Sequence, residues 1–392
     1  MGIFRRKDRG AAAVAEAEPE LNPVVEEARA LEADGRIFDG IDLLTRTNRG
    51  SGNVEIEREI IAMRHRAGAE MVEAGDQHPV HPEPADYDFR LEDKVPTVTP
   101  AELTPEILRA AILKYGCLKV TGVMDEATAK SLADDIDHAF EIRQRLSDAK
   151  EVDPTRIYEE FAPNEPYQVQ YVERHWVALA GGVLAADSPK MFFEMVDSLE
   201  QAGVRDVVEG YLGERAAISA QKCTLRKADP SVKGGWHQDG KFLGDVRALN
   251  VWLSLSRCGD VAPSMDIVPV RIDEFVAAGV NEGDLHYQVT DETAAEAAGE
   301  TGIVRPIFNP GDVLLFDEMF LHQTGSDPSM PNPRYAIESW FFGPSAFPEE
   351  YAPIAFWAGR EAVPGHIRPE FPIVSSEWSS LNSIPRSSSG WR

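Results

Sequence analysis

The run Leu249-Asn250-Val251-Trp252-Leu253-Ser254-Leu255-Ser256 carries an aliphatic residue at every odd position and Asn, Trp, Ser and Ser at the even ones. Side chains alternate across an extended strand, so a period of two puts the two sets on opposite faces. The aliphatic face requires cover, while the polar face meets either solvent or an internal cavity. Arg334-Tyr335-Ala336-Ile337-Glu338-Ser339-Trp340-Phe341 poses the same choice: with Arg334 inward, Ala336, Glu338 and Trp340 follow it.

Upstream of these strands the pattern is helical. Thr104 can cap a helix through Ile107, Ala110, Ala111 and Leu113, with Pro105 at its first position and Glu106 in its first turn. Cys117-Leu118-Lys119-Val120 reads as a strand ended by Gly122, Glu126 to Arg145 as a helix, and Met191 to Leu212 as helical. After Gly213 strands and turns dominate. Helices followed by a run of strands indicate a β core with helices packed on it. Nearer the start, Val24 to Leu31 and Ile56 to Met63 predict two helices, separated by a loop signal at Asn48 to Asn53. Residues 1 to about 20 read as a mobile end, and Gly75 to Pro84 as a Pro-rich linker.

Composition narrows the class. The 392 residues, 43% hydrophobic, can supply a sizeable core. No stretch approaches the roughly 20 apolar residues of a membrane span, and basic Met1 to Gly10 leads into Ala- and Glu-rich sequence rather than an apolar signal core. Three cysteines, Cys117, Cys223 and Cys258, have no paired spacing. A cytoplasmic protein with no disulfide framework is expected. The net charge of −27 opposes nucleic acid and acidic membranes, leaving a small molecule as the expected partner and a homo-oligomer open.

The candidate chemistry lies in Trp236-His237-Gln238-Asp239-Gly240, His322 and Arg334. Two imidazoles and a carboxylate, two of them close in sequence and the third distant, suit a facial Fe(II) triad. His237 and Asp239, two apart, would share one face of a strand. With nine histidines and 66 acidic residues, chance alone yields about one to two His-x-Asp/Glu pairs. The other pair, His81-Pro82-Glu83, falls in the Pro-rich linker and is expected to be a solvated loop. His138 is expected to face solvent, His175 to be packed, and His286 carries no signal. Arg334, beyond the last histidine, suits an anionic co-substrate.

These pieces resemble the phytanoyl-CoA dioxygenase family of Fe(II)- and 2-oxoglutarate-dependent oxygenases over roughly residues 100 to 345. The resemblance rests on Leu103-Thr104-Pro105-Glu106, Gly116 to Val120 with Gly122-Val123-Met124-Asp125, the His237 segment, Asn309-Pro310-Gly311-Asp312-Val313-Leu314-Leu315-Phe316-Asp317, and His322 to Arg334. The family's Pro-Gly-Ser-His stretch is replaced by Val268-Pro269-Val270-Arg271. The resemblance implies an α+β, mainly β fold: a double-stranded β-helix (jelly-roll, cupin-like) core with packed helices and an N-terminal helical extension. The implied organisation is an extension and linker (1–95), a dioxygenase domain (96–348) and a C-terminal tail (349–392).

The same resemblance implies Fe(II) on His237, Asp239 and His322, with 2-oxoglutarate and O2 at the open positions. Arg334 and Thr324 would grip the far carboxylate of 2-oxoglutarate, with Asn250 and Trp252 near it. Ser219, Gln221 and Cys223 form a third inward set on that resemblance alone. Hydroxylation with release of succinate and CO2 is favoured, since related halogenases carry Gly or Ala where Asp239 stands, while desaturation or ring formation would use the same metal and co-substrate. Phe242, Trp252 and Trp340 could form an apolar wall for a lipid- or terpenoid-like substrate. Arg271 to Ile307 reads as a lid with Gly279, Gly283 and Gly299 as flexible points. The rival readings are a non-catalytic binding or scaffold protein and a cupin-type metalloenzyme that does not use 2-oxoglutarate, the latter leaving Arg334 unexplained.

Overall fold

Three helices open the described part of the chain: α1 (Pro23–Ala33), α2 (Ile37–Ser51) and α3 (Val54–Glu73). Asn22 and Asn53 cap α1 and α3 by accepting backbone N–H bonds from Val24 and from Glu55 and Ile56. The second helix runs through the expected loop and ends only at left-handed Gly52. Its buried residues Ile37, Ile41, Leu44, Thr45 and Asn48 follow the helical period, and Asn48 donates to Glu57 of α3 at 3.1 Å. The structure is a computed structural model describing residues 22–75, 78–148, 156–232, 234–277 and 287–356, all within one compact unit, Met1–Gly359. The expected mobile end, His286, Gly279, Gly283 and residues 357–392 of the expected C-terminal tail lie outside the described residues.

The remaining elements are β1 (Arg90–Glu92), β2 (Val95–Val98), α4 (Pro105–Tyr115), β3 (Cys117–Val120), α5 (Glu126–Ser147), α6 (Tyr171–Leu179), β4 (Gly182–Leu184), α7 (Pro189–Gln201), α8 (Val204–Leu212) and β5 (Ala217–Ala228). They continue with α9 (Gly240–Leu243), β6 (Ala248–Ser254), β7 (Ser264–Ile267), α10 (Asp291–Ala298), β8 (Val313–Phe316), β9 (His322–Gly325), β10 (Arg334–Phe342) and β11 (Pro353–Ala355). A large sheet runs β1-β2-β3-β8-β6-β10-β5-β11, with β4 also on β5, and is antiparallel except between β2 and β3. Strands β7 and β9 form a second, two-stranded sheet. The fold is therefore a mixture of helices and a dominant antiparallel sheet. No helix among the described residues is long and apolar enough to cross a membrane.

Strand alternation sorts the two faces of the large sheet. Leu249, Val251, Leu253, Val313, Leu315, Ile337 and Phe341 join one core with Leu108, Ile112, Leu132, Ile136, Phe192, Leu199 and Val208 of the helices. Trp252, Leu314, Phe316, Ala336 and Trp340 point the other way and pack with Met265 and Ile267 of the second sheet. The polar face of β6 is thus internal, between two sheets. Residues 191–212 are two helices rather than one, broken around left-handed Gly203.

Helix α3 lies flush on β11. Arg64 donates to the carbonyls of Ala355 and Phe356 at 2.9 Å each, and His65 Nδ1 sits 2.8 Å from the Pro353 carbonyl. Gly68 makes this approach feasible, because a Cβ there would stand 2.8 Å from the Pro353 carbonyl oxygen. The linker histidine is not solvated: His81 Nδ1 lies 2.8 Å from the Tyr211 carbonyl, and burial pushes its pKa down to about 3. His138 is exposed as expected, but so is His175, whose ring stacks on that of Tyr171.

Candidate metal centre

His237 does not open a regular strand. It makes a single bridge to the start of β9, exchanging backbone hydrogen bonds with His322 at 2.9 and 3.1 Å. The chain then turns sharply: Asp239 has helical backbone angles at the head of the four-residue helix α9, and Gly240 N–H donates to the Glu318 carbonyl. A regular strand would carry Asp239 one repeat further along; the turn instead brings its carboxylate back over the bridged pair. Gln238 holds the turn from the far side, donating to the Met319 carbonyl at 2.7 Å and accepting from Val276 N–H at 2.8 Å. Gly234 allows the close approach to β9, since a Cβ there would stand 2.8 Å from Thr324 N.

The result is a cluster in which ligand atoms of His237, Asp239 and His322 all lie within 4.8 Å of one another. Asp239 Oδ2 is 3.6 Å from His322 Nε2, and Oδ1 is 4.0 Å from His237 Nε2. Each imidazole is oriented through its other nitrogen: His237 Nδ1 lies 2.8 Å from the Gly235 carbonyl and His322 Nδ1 lies 3.1 Å from that of Phe320. An Nδ1–H donated to a carbonyl leaves Nε2 with its lone pair facing the cluster, as a metal ligand needs. Burial, reinforced by neighbouring His237, holds His322 below the ordinary histidine pKa and so keeps it neutral. Asp239 Oδ2 is buried and makes no hydrogen bond.

Arg334, at the start of β10, is the second unusual feature. It is 3% exposed, its guanidinium lies 5.4 Å from the centre of the Trp252 ring, and Nη1 donates to the Ser264 carbonyl at 3.0 Å. Its Nε is buried without a partner, and among the described residues no carboxylate lies within 4.0 Å of it. Burial lowers its pKa to about 10, which still leaves it charged at neutral pH. Thr324 sits on β9 one residue from Gly325, the partner of Ser264.

Along the same internal face, Asn250 has both amide atoms buried without partners, as does Nε1 of Trp340, its neighbour across the sheet. Each such orphan costs on the order of 1–3 kcal/mol unless a ligand or water satisfies it. The donor set fits an iron with a chelating dianion: one carboxylate, two imidazoles and a buried guanidinium that has no carboxylate partner among the described residues.

Other expected site residues fall elsewhere. Gln221 accepts from Ala352 N–H at 2.9 Å and donates to the Gln168 carbonyl at 3.0 Å, so its amide is committed to the edge of the sheet rather than to a co-substrate. Ser219 is buried at the same edge, opposite Pro353. Cys223 faces the helices, 3.8 Å from the Met195 sulfur. The cause is a bulge: between rungs 339 and 341 of β10, the facing strand advances from Cys223 to Ile218, which reverses its phase. Lys222 is thereby turned toward the cluster, over Phe242 and Tyr351, a placement that no sequence signal announced. Trp252 and Trp340 are core residues at 3% and 1% exposure, so of the proposed apolar wall only Phe242, at 36%, is open. The expected lid segment contributes Tyr287, whose ring centre is 6.2 Å from that of His237.

No family model matches this sequence, and no curated protein matches it. Among solved structures it is similar to AviO1 from Streptomyces viridochromogenes Tue57, with 16% identity, a TM-score of 0.38, and coverage of 62% of this chain and 96% of that one. It is also similar to EctD from S. alaskensis with bound Fe, with 18% identity, a TM-score of 0.42, and coverage of 73% and 88%. A third is SnoK, a non-heme alpha ketoglutarate dependent carbocyclase from nogalamycin biosynthesis, with 13% identity, a TM-score of 0.41, and coverage of 63% and 86%. Likenesses at this level say nothing of what this chain does.

Proposed function

We propose that this protein is an Fe(II)- and 2-oxoglutarate-dependent oxygenase of the phytanoyl-CoA dioxygenase type, hydroxylating a small organic substrate within a double-stranded β-helix core. The observation that carries this reading is the pairing of a three-ligand cluster with Arg334, a buried cation on the same internal face that has no carboxylate partner among the described residues. Bound Fe(II) and 2-oxoglutarate would supply oxygen activation coupled to oxidative decarboxylation, yielding succinate and CO2.

The chain's own residues supply the rest. The Gly235 and Phe320 carbonyls fix the two imidazoles, and Asp239 provides the anionic ligand. Arg334 would receive the far carboxylate of 2-oxoglutarate, with Thr324 beside it and Trp252 as a flat wall beneath the guanidinium. Asn250 and Trp340 offer buried donors to the space between the sheets. The low exposure of Asp239, His322 and Arg334 limits water there.

The test is succinate formation from 2-oxoglutarate by the purified protein under air with Fe(II) and ascorbate, beside calorimetric titration of Fe(II) and of 2-oxoglutarate. Iron-dependent succinate release, lost in Asp239→Ala, is the expected result. Failure to bind either ligand would replace the oxygenase by the scaffold reading.

A further inference from the structure

Lys222 is a cation beside the candidate metal cluster that forms no ion pair among the described residues. Its ammonium lies 4.4 Å from the centre of the Phe242 ring and 5.7 Å from that of Tyr351. Phe242 in turn stacks on the His237 imidazole at 6.3 Å and meets Tyr287 edge-on at 5.2 Å, so one aromatic ring separates Lys222 from a metal ligand. The carboxylates that face it are Asp239, Glu338 and Glu173, with Arg226 as a further cation, yet none of the three acids lies within 4.0 Å. Glu338 is instead bound by Arg226 at 2.8 Å. Among the described residues the ammonium donates no hydrogen bond, and burial lowers its pKa.

A flexible lysine within reach of several acids would ordinarily close onto one. Here the ammonium lies over two aromatic rings instead, on a side of the cluster where His237 and Phe242 are solvent-accessible. We propose that Lys222 is a substrate-binding residue that receives an anionic group, a carboxylate, of the primary substrate, while Phe242, Tyr287 and Tyr351 pack against its apolar body. This deepens the oxygenase reading and rests on it only in that the bound acid would face the iron. It also separates two anion sites: Arg334 between the sheets for the co-substrate, Lys222 at the mouth for the substrate.

The experiment is calorimetric titration, without oxygen, of protein loaded with Fe(II) and saturating 2-oxoglutarate. The probes are 3-phenylpropionate and octanoate, each against its primary amide. At least tenfold tighter binding of an acid than of its amide is expected in the native protein, lost in Lys222→Met and retained in Lys222→Arg, with melting temperatures recorded for all. Acid and amide binding within twofold of each other, no binding of either acid, or an unchanged preference in Lys222→Met would each overturn the assignment. So would a tenfold loss of 2-oxoglutarate binding in Lys222→Met with the acid preference intact, which would move Lys222 to the co-substrate. Repeating the titration on metal-free protein separates the two readings: a Lys222-dependent acid preference without any iron binding sinks only the oxygenase, and iron binding without the preference sinks only this assignment.

Discussion

Arg64 and Arg334 are the most deeply buried arginines among the described residues, and their surroundings differ. Arg64, 1% exposed, fills the seam between α3 and β11, where it donates to two backbone carbonyls and pairs with Glu200 at 3.2 Å. Arg334, 3% exposed, has one carbonyl and an aromatic face. A guanidinium offers five donors and loses much hydration on burial; Nε is left without a partner in both, but Arg64 has two carbonyls and a carboxylate where Arg334 has one carbonyl. The first arginine ties α3 to β11, and under the oxygenase proposal the second would be completed by an anion.

The sharpest break of this comparison lies at the metal end. Asp239→Ala should abolish succinate formation and weaken Fe(II) binding at least a hundredfold by calorimetry; full turnover in this variant would remove the cluster from the chemistry. Next come the arginines themselves. Arg334→Leu should raise the 2-oxoglutarate requirement at least tenfold while leaving stability equal or up by about 1 kcal/mol, because an unpaired buried charge is removed. Arg64→Leu should do the reverse, costing about 3 kcal/mol in urea unfolding with 2-oxoglutarate affinity unchanged, since Glu200 and two carbonyls lose their partner. Equal stability losses in the two variants would erase the distinction.

Smaller effects sharpen the picture of the seam. Gly68→Ala should cost about 1–3 kcal/mol, because its methyl would press on the Pro353 carbonyl. A melting temperature unchanged in this variant would mean that α3 does not sit flush on β11. Asn53→Ala, which removes the cap of α3, should cost about 1 kcal/mol and leave the metal centre untouched.

Much of the frame was legible in the residues. Thr104 caps α4 by accepting from Ile107 N–H at 3.2 Å, β3 spans Cys117–Val120, and the odd positions of β6 meet the helices. These features depend on neighbours in sequence: a cap, a glycine stop, a period of two. Helix α2 leaves a weak signal in the sequence because its Gly and Asn residues resemble a loop. Gly40 in fact serves close packing, since a Cβ there would stand 2.8 Å from the Ala28 carbonyl oxygen. His175 was expected inside and lies outside, because Arg174, paired with Asp187 at 2.8 Å, takes the inward position on α6.

By itself, the sequence determined which residue types could bind a metal and an anion, and which strand faces are apolar, because both follow from composition and local periodicity. Only the tertiary structure decided how they meet. Asp239 reaches the two histidines by a turn rather than along a strand, and the bulge in β5 turns Cys223 out and Lys222 in. A bulge or a turn is set by what the partner strand allows, and a change of one residue in phase exchanges the two faces.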